Sequence, residues 1–313
     1  MQKGLTFDEI PAFDTAALSA TARAPLPVGR RSYRELLLQV EGAAAYDTGG
    51  SAADLDFRHA VEYVELFVSG KSRMLIKPPM HQILQEHLNS TDDALPVKFL
   101  AIPLARPGYR DTDWSTGDME SMQIAVKLKS SLPTGTAVNA SLSRVRGWAR
   151  YEDLAVPTPL GPVFTQRVVT PNTPVAGWNT IDNLTVGALA ALSKLMFFCP
   201  PTGTNTVTTT AAAITQVKLS IGGRYIFNST RDAVDADHAF SPFFALPASR
   251  WAFPCFLDYT NRFEDLPALL DGNVRQPLKV EYYWDTGVAA VAAVDILVEG
   301  LELGSPRPTV AAQ

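Results

Sequence analysis

Reactive side chains are scarce in this 313-residue chain. It has four histidines and two cysteines. The cysteines, Cys199 and Cys255, sit in apolar runs ("MFFCP", "FPCFL") and read as buried free thiols rather than a disulfide framework. No Walker-type phosphate loop, dinucleotide fingerprint, His-Glu-x-x-His pair or Gly-x-Ser-x-Gly elbow occurs. No apolar run approaches the roughly 20 residues of a spanning helix. The opening "MQKGLTFDEI" lacks the apolar stretch of an export signal. The four sequons, at Asn89, Asn139, Asn183 and Asn228, are therefore read as chance. Positive charge is not in excess either. The formal net charge is −5, so no bulk attraction to nucleic acid or an anionic membrane is expected.

What is present is a globular composition, 46% apolar and 19% charged, in a chain long enough to bury about 75% of its unfolded surface. From Pro25 onward, short Val/Ile/Leu/Phe/Tyr runs alternate with Gly/Pro/Asp/Thr loops, the spacing of a β-sandwich or barrel. In the first half, strands are expected at Glu35–Val40, Val61–Val68, Arg73–Lys77, Val97–Leu104, Ser121–Lys129 and Ala137–Arg150. In the second they are expected at Val163–Val169, Lys194–Cys199, Thr215–Ile221, Arg224–Phe227, Phe253–Tyr259, Pro277–Trp284 and Val291–Leu303. Two stretches read as helices, "PPMHQILQEHLN" (78–89) and "NSTRDAVDADHAF" (228–240), the second with Ser/Thr caps and Asp232 in its first turn. Residues 1–23 show no strand pattern. They read as an extended arm, with a short helix over Asp14–Ala22, that adds nothing to a core.

One phrase is written twice. "VELFVSGK" (64–71) and "VKLSIGGR" (217–224) share a pattern of alternating apolar residues, then a small residue, Gly and a base, 153 residues apart. Ser69-Gly70 and Gly222-Gly223 are then turn residues with positive φ at the glycines. The same shift lays "KFLAIPLARP" (98–107) on "WAFPCFLDYT" (251–260) and "VNASLSRVRGW" (138–148) on "VAAVDILVEGL" (291–301), and one residue less lays "MQIAVKLKS" (122–130) on "VRQPLKVEY" (274–282). The register implies an all-β chain of two tandem eight-stranded antiparallel jelly rolls, each with one short inserted helix. The expected division is an arm 1–23, a first roll 24–152, a linker 153–160, a second roll 161–304 and a tail 305–313.

That organisation resembles the double-jelly-roll major capsid proteins of tailless, membrane-containing bacterial viruses, the corticovirus-like and tectivirus-like group. The likeness runs from about Leu26 to Leu303. It is carried by "LPVGRRSYRELLLQVEG" (26–42) and by the strand, turn and helix of "VEYVELFVSGKSRMLIKPPMHQILQEHLN" (61–89). The resemblance implies a virion coat subunit, made in the host cytoplasm, whose work is geometric. Three copies, with two rolls each, would make a roughly six-sided tile of an icosahedral shell. It further implies contacts with neighbouring trimers, penton and minor capsid proteins, and a membrane beneath the shell. The arm would then contact a neighbour or the inner face.

Other readings stand beside it. A carbohydrate-binding double sandwich shares the architecture. A cupin-type enzyme would need histidines converging on a metal, but His81 and His87 are six apart on a helix, and His59 and His238 are distant in sequence. The loops holding Asp111, Asp113, Asp118 and Glu120, and Asp232, Asp235 and Asp237, offer hard oxygens for Ca²⁺ or simply a solvated surface; neither has EF-hand spacing. Arg144, Arg146 and Arg150 alternate along a strand beside Trp148, as a nucleic-acid grip or as one polar strand face. No catalytic, metal or cofactor-binding residue is assigned, no cofactor is expected, and no direct nucleic-acid binding is expected.

Overall fold

The computed structural model describes residues 5–42, 60–78, 99–105, 113–130, 142–170, 173–184, 186, 189–198, 213–240, 252–257, 270–271, 274–275, 277–285 and 294–302. Nineteen strands occur among them: β1 (Thr6–Glu9), β2 (Thr21–Leu26), β3 (Arg31–Gly42), β4 (Val61–Val68), β5 (Lys71–Ile76), β6 (Phe99–Pro103), β7 (Trp114–Ser115), β8 (Met122–Leu128), β9 (Leu142–Asp153), β10 (Val163–Val169), β11 (Gly177–Ile181), β12 (Leu189–Phe198), β13 (Ile214–Ile221), β14 (Arg224–Thr230), β15 (Ala252–Phe256), β16 (Leu270–Asp271), β17 (Val274–Arg275), β18 (Leu278–Trp284) and β19 (Asp295–Glu302). A helix, α1 (Arg231–Phe240), follows β14; the Thr230 hydroxyl caps it by accepting from the Ala233 amide. The expected helix 78–89 lies outside the described residues beyond its first position.

The strands repeat one plan twice. In the first roll one sheet runs β1-β9-β3-β6, with β7 also on β3, and the facing strands run β2-β8-β4-β5. In the second, β10-β19-β12-β15 faces β11-β18-β13-β14. Each roll therefore has eight principal strands in two sheets, the jelly-roll count. Apolar alternation drives the packing: β18, and β4 from Val64 onward, bury every second residue. One core gathers Leu36, Leu38, Leu66, Ile124 and Val145 between the first pair of sheets. The other gathers Leu195, Phe197, Val217, Val280 and Ile296.

The 153-residue register is structural. Strand β13 begins and ends 153 residues after β4, and β15 begins and ends 153 after β6. The β4–β5 and β13–β14 hairpins turn on Ser69 (φ 47°) with Gly70 (φ 75°), and on Gly222 (φ 56°) with Gly223 (φ 81°). Two consecutive left-handed residues make a turn whose twist matches that of the flanking strands. One segment departs from the register. Ile124 opposes Leu66 and Val280 opposes Leu219, so β18 lies three residues beyond the 153-residue register and four beyond the predicted alignment of 122–130 with 274–282. The loops before the two strands differ in length.

The reading of residues 1–23 as an arm without strands is corrected. β1 pairs with β9, and β2 pairs with β8 along its whole length. They correspond to β10 and β11, so the first roll opens at β1. Ile10, Ala22 and Ala24 are core residues. No helix forms over 14–22. The signal was weak because β2 alternates on alanine, a poor strand former, and contains Pro25. An edge strand accommodates that proline, since no ladder bond is needed on its open side.

The two rolls are joined edge to edge. β5 of the first runs parallel to β10 of the second, meeting at Arg167 and Leu75, so one sheet continues as β15-β12-β19-β10-β5-β4-β8-β2.

Candidate functional site

The seam between the rolls is the most elaborated polar region among the described residues. From β5 and its end, Arg73 pairs with Glu302, and Lys77 with Asp295 at 2.6 Å, both carboxylates on β19. Arg167 of β10 donates to the Ser72 carbonyl at 2.9 Å. Behind this, Glu299 accepts from Lys194 at 3.0 Å and from Gln166, and all three are buried. Val168, Met196, Phe198 and Leu297 form a separate apolar cluster that Leu75 joins. The Lys194–Glu299–Gln166 group lies within the second roll, and the pairs that bridge the two rolls are Arg73–Glu302 and Lys77–Asp295.

The edges are the second feature. In each roll the edge strands β2 and β6, or β11 and β15, have no strand partner on their outer side among the described residues. The other two edges differ between the rolls. β5 and β10 are consumed by the seam, whereas their counterparts β14 and β1 remain open. Each open edge presents large apolar side chains. Tyr225 on β14 is 55% exposed, and Phe7 on β1 is 49% exposed, with Leu5 beside it.

The residues singled out from sequence fall elsewhere. Cys255 is fully buried, and burial pushes its thiol well above the ordinary range, the state of an inert thiol. Cys199, His59, His81, His87 and Asp111 lie outside the described residues, and the side chains of Asp237 and His238 are not described. Asp113 is buried and pairs with Arg34 at 2.7 Å; Asp118 accepts from the Leu160 amide at 2.8 Å. Asp235 pairs with Arg231 one turn back on α1, also at 2.7 Å. These carboxylates thus have protein partners, and no group of three or more His, Cys, Asp or Glu suited to a metal occurs among the described residues.

The arginines of "SRVRGWAR" are likewise engaged within the chain. Arg144 and Arg146 reach Glu9, Arg146 also reaches Glu41, and Arg150 pairs with Glu35. Arg146 lies over the Trp148 ring and Arg150 over Phe7. The Arg146 bond holds Glu9 below the usual carboxylate range. This ladder ties β1 onto β9. It is the polar strand face, and the cations a nucleic-acid grip would use are neutralised.

No protein-family model and no curated protein matches the sequence. Solved structures do. The chain is similar to the major capsid protein of bacteriophage PM2 at 12% identity, covering 97% of this chain and 99% of that one with a TM-score of 0.68. It is similar to PBCV-1 VP54 at 8% identity, covering 96% and 94%, with a TM-score of 0.64. It is similar to the STIV MCP at 10% identity, covering 99% and 100%, with a TM-score of 0.63. At these identities the likeness is one of fold, and the fold is that of the double-jelly-roll capsid proteins.

Proposed function

We propose that the chain is the major coat subunit of an icosahedral virion, and that three copies close into a six-lobed tile. The observation that carries this reading is the asymmetry of the edges. Two equivalent rolls use one pair of edges, β5 and β10, to join within the chain. The equivalent pair, β14 and β1, is left open at opposite ends of the same two-roll unit. If the seam is repeated between copies, β14 of one copy lies beside β1 of the next. A head-to-tail contact of this kind forms a ring when its rotation closes. Three chains give six rolls and six like junctions, three within chains and three between them. The end-to-end match to capsid proteins of the same two-roll design supports the same reading.

The assembly this implies has neighbouring tiles as its main partners, with penton and minor capsid proteins and an internal membrane as further ones. The subunit would be made in the host cytoplasm and end in the shell. No catalysis is assigned to it. The first roll then begins at β1 rather than at residue 24, the second is assigned to 161–304, and the expected tail 305–313 lies outside the described residues. An obligate ring of this kind should bury on the order of 2,000–5,000 Å² per contact.

Native mass spectrometry tests the stoichiometry, with a trimer expected and a monomer contradicting the reading. A photo-crosslinking residue in place of Tyr225 tests the contact. The adduct should map to residues 5–14 of a second copy. An adduct confined to its own chain, or mapping to another edge, would refute the proposed junction.

A further inference from the structure

At the seam, β5 and β10 leave a cleft of about 310 Å³ whose polar lining is Lys71, Ser72, Arg73, Thr165, Arg167 and Glu302, with Val186 and Leu189 as its apolar wall. Cations are contributed by both rolls: Lys71 and Arg73 by the first, Arg167 by the second. Only one carboxylate lines the space, and Glu302 is already paired with Arg73. Among the described residues no carboxylate lies within ion-pair distance of Lys71 or Arg167. Among the described residues Arg167 is engaged by the Ser72 carbonyl alone. The buried Nε of Arg73 has no hydrogen-bond acceptor among the described residues. Converging like charges in a partly desolvated cleft repel, and a buried donor without an acceptor is unfavourable. Both are relieved by the same thing, a compact polyanion with several acceptor oxygens.

The second roll's hairpin shows that the Arg73 cation is not imposed by the fold. In the 153-residue register, Arg73 corresponds to Ile226 and Leu75 to Asn228, so the counterpart strand β14 lacks the central guanidinium. Lys71 has a basic counterpart in Arg224, so what β5 has and β14 lacks is the guanidinium of Arg73.

We propose that this cleft is an oxyanion site that takes a small phosphoryl anion of the size of pyrophosphate, bridging the two rolls through Lys71, Arg73 and Arg167. The inference does not depend on the shell reading. Its chemistry could be supplied by a free anion or by a lipid headgroup. A half-open recess between strands of two rolls, rather than a broad flat face, favours the free anion.

The test is calorimetric titration of the full-length protein with inorganic pyrophosphate at constant ionic strength, beside sedimentation with phosphatidylglycerol vesicles. Saturable binding at one site per chain is expected. Arg167→Gln and Lys71→Gln should each weaken it by about tenfold, the loss expected for one charge-assisted contact. Lys71 is exposed, so Lys71→Gln should keep the unfolding midpoint of the parent and separates binding from folding. Lys279→Gln, on β18 outside the cleft, should bind as the parent does. Absence of saturable pyrophosphate binding, equal affinity in Lys71→Gln and the parent, or binding of vesicles without pyrophosphate would each overturn the proposal.

Discussion

Valine at Gly70 or at Gly223 should destabilise the subunit by similar amounts, because the two turns are the same turn. A Cβ built at either position meets nothing within 4 Å. Steric crowding is therefore no part of the cost, and what remains is the backbone. With φ at 75° and 81°, an ordinary L-residue is held where its Cβ crowds the carbonyl, at about 1–2 kcal/mol. A β-branched residue is worse placed there, so valine should sit at or above the top of that range. Asparagine, which visits the left-handed region, should cost less than alanine. In thermal unfolding the valine variants should lose about 2–8 °C, and in denaturant their midpoints should fall with unchanged slopes. Circular dichroism on both series would measure this. Should Gly70→Val be destabilised and Gly223→Val not, or should asparagine be as harmful as valine, the equivalence and the left-handed turn would both be wrong.

Gly147 and Gly300, also 153 residues apart, should respond unequally to alanine. At Gly300 the new Cβ would lie 2.1 Å from the Ala191 carbonyl oxygen, a backbone atom at a bulge of β12, so about 3 kcal/mol or more is expected. At Gly147 it meets the end of the Ile10 side chain at 2.7 Å, which can rotate away, so about 1 kcal/mol is expected; denaturant midpoints of the two variants decide this. The lowered Glu9 carboxyl gives β1 a hold that is present above the ordinary carboxylate range and lost as pH falls through the lowered value. Amide exchange at residues 6–10 should therefore be faster in Glu9→Gln than in the parent at about pH 6, and the two should converge once the pH falls below the lowered Glu9 value. Deleting residues 2–10 strips β1, opens the edge of β9 and removes Ile10 from the core, so the unfolding midpoint of the first roll should drop; an unchanged midpoint would restore the reading of this segment as an arm.

How much of this was legible in the sequence depends on where each strand stands. β4, β13 and β18 face a core on one side and a wetter surface on the other, so they write their burial as alternation. β12 carries "SKLMFF" with no alternation because both faces are covered, by the second core and by the Met196–Phe198 cluster, and only its end was anticipated. The edges were hardest. β1 is four residues of "TFDE", β2 alternates on alanine, and β11 is "GWNTI". Edge strands are short and polar, since an exposed apolar edge would pair with other chains, and that is what hides them. The seam was illegible for another reason. Arg73, Lys77, Glu302 and Asp295 lie more than 200 residues apart in sequence, and pairing of that kind leaves no local pattern. The arginines of "SRVRGWAR" were visible as a strand face, but their carboxylates on β1 and β3 were not.

Electron microscopy of the purified full-length protein tests the central claim most directly. The account predicts single particles with threefold symmetry and six lobes around a closed ring, each lobe one jelly roll, with β14 of one chain beside β1 of the next. Isolated two-lobed particles at micromolar concentration, or rings whose contacts run through β2, β6, β11 or β15 instead, would contradict it.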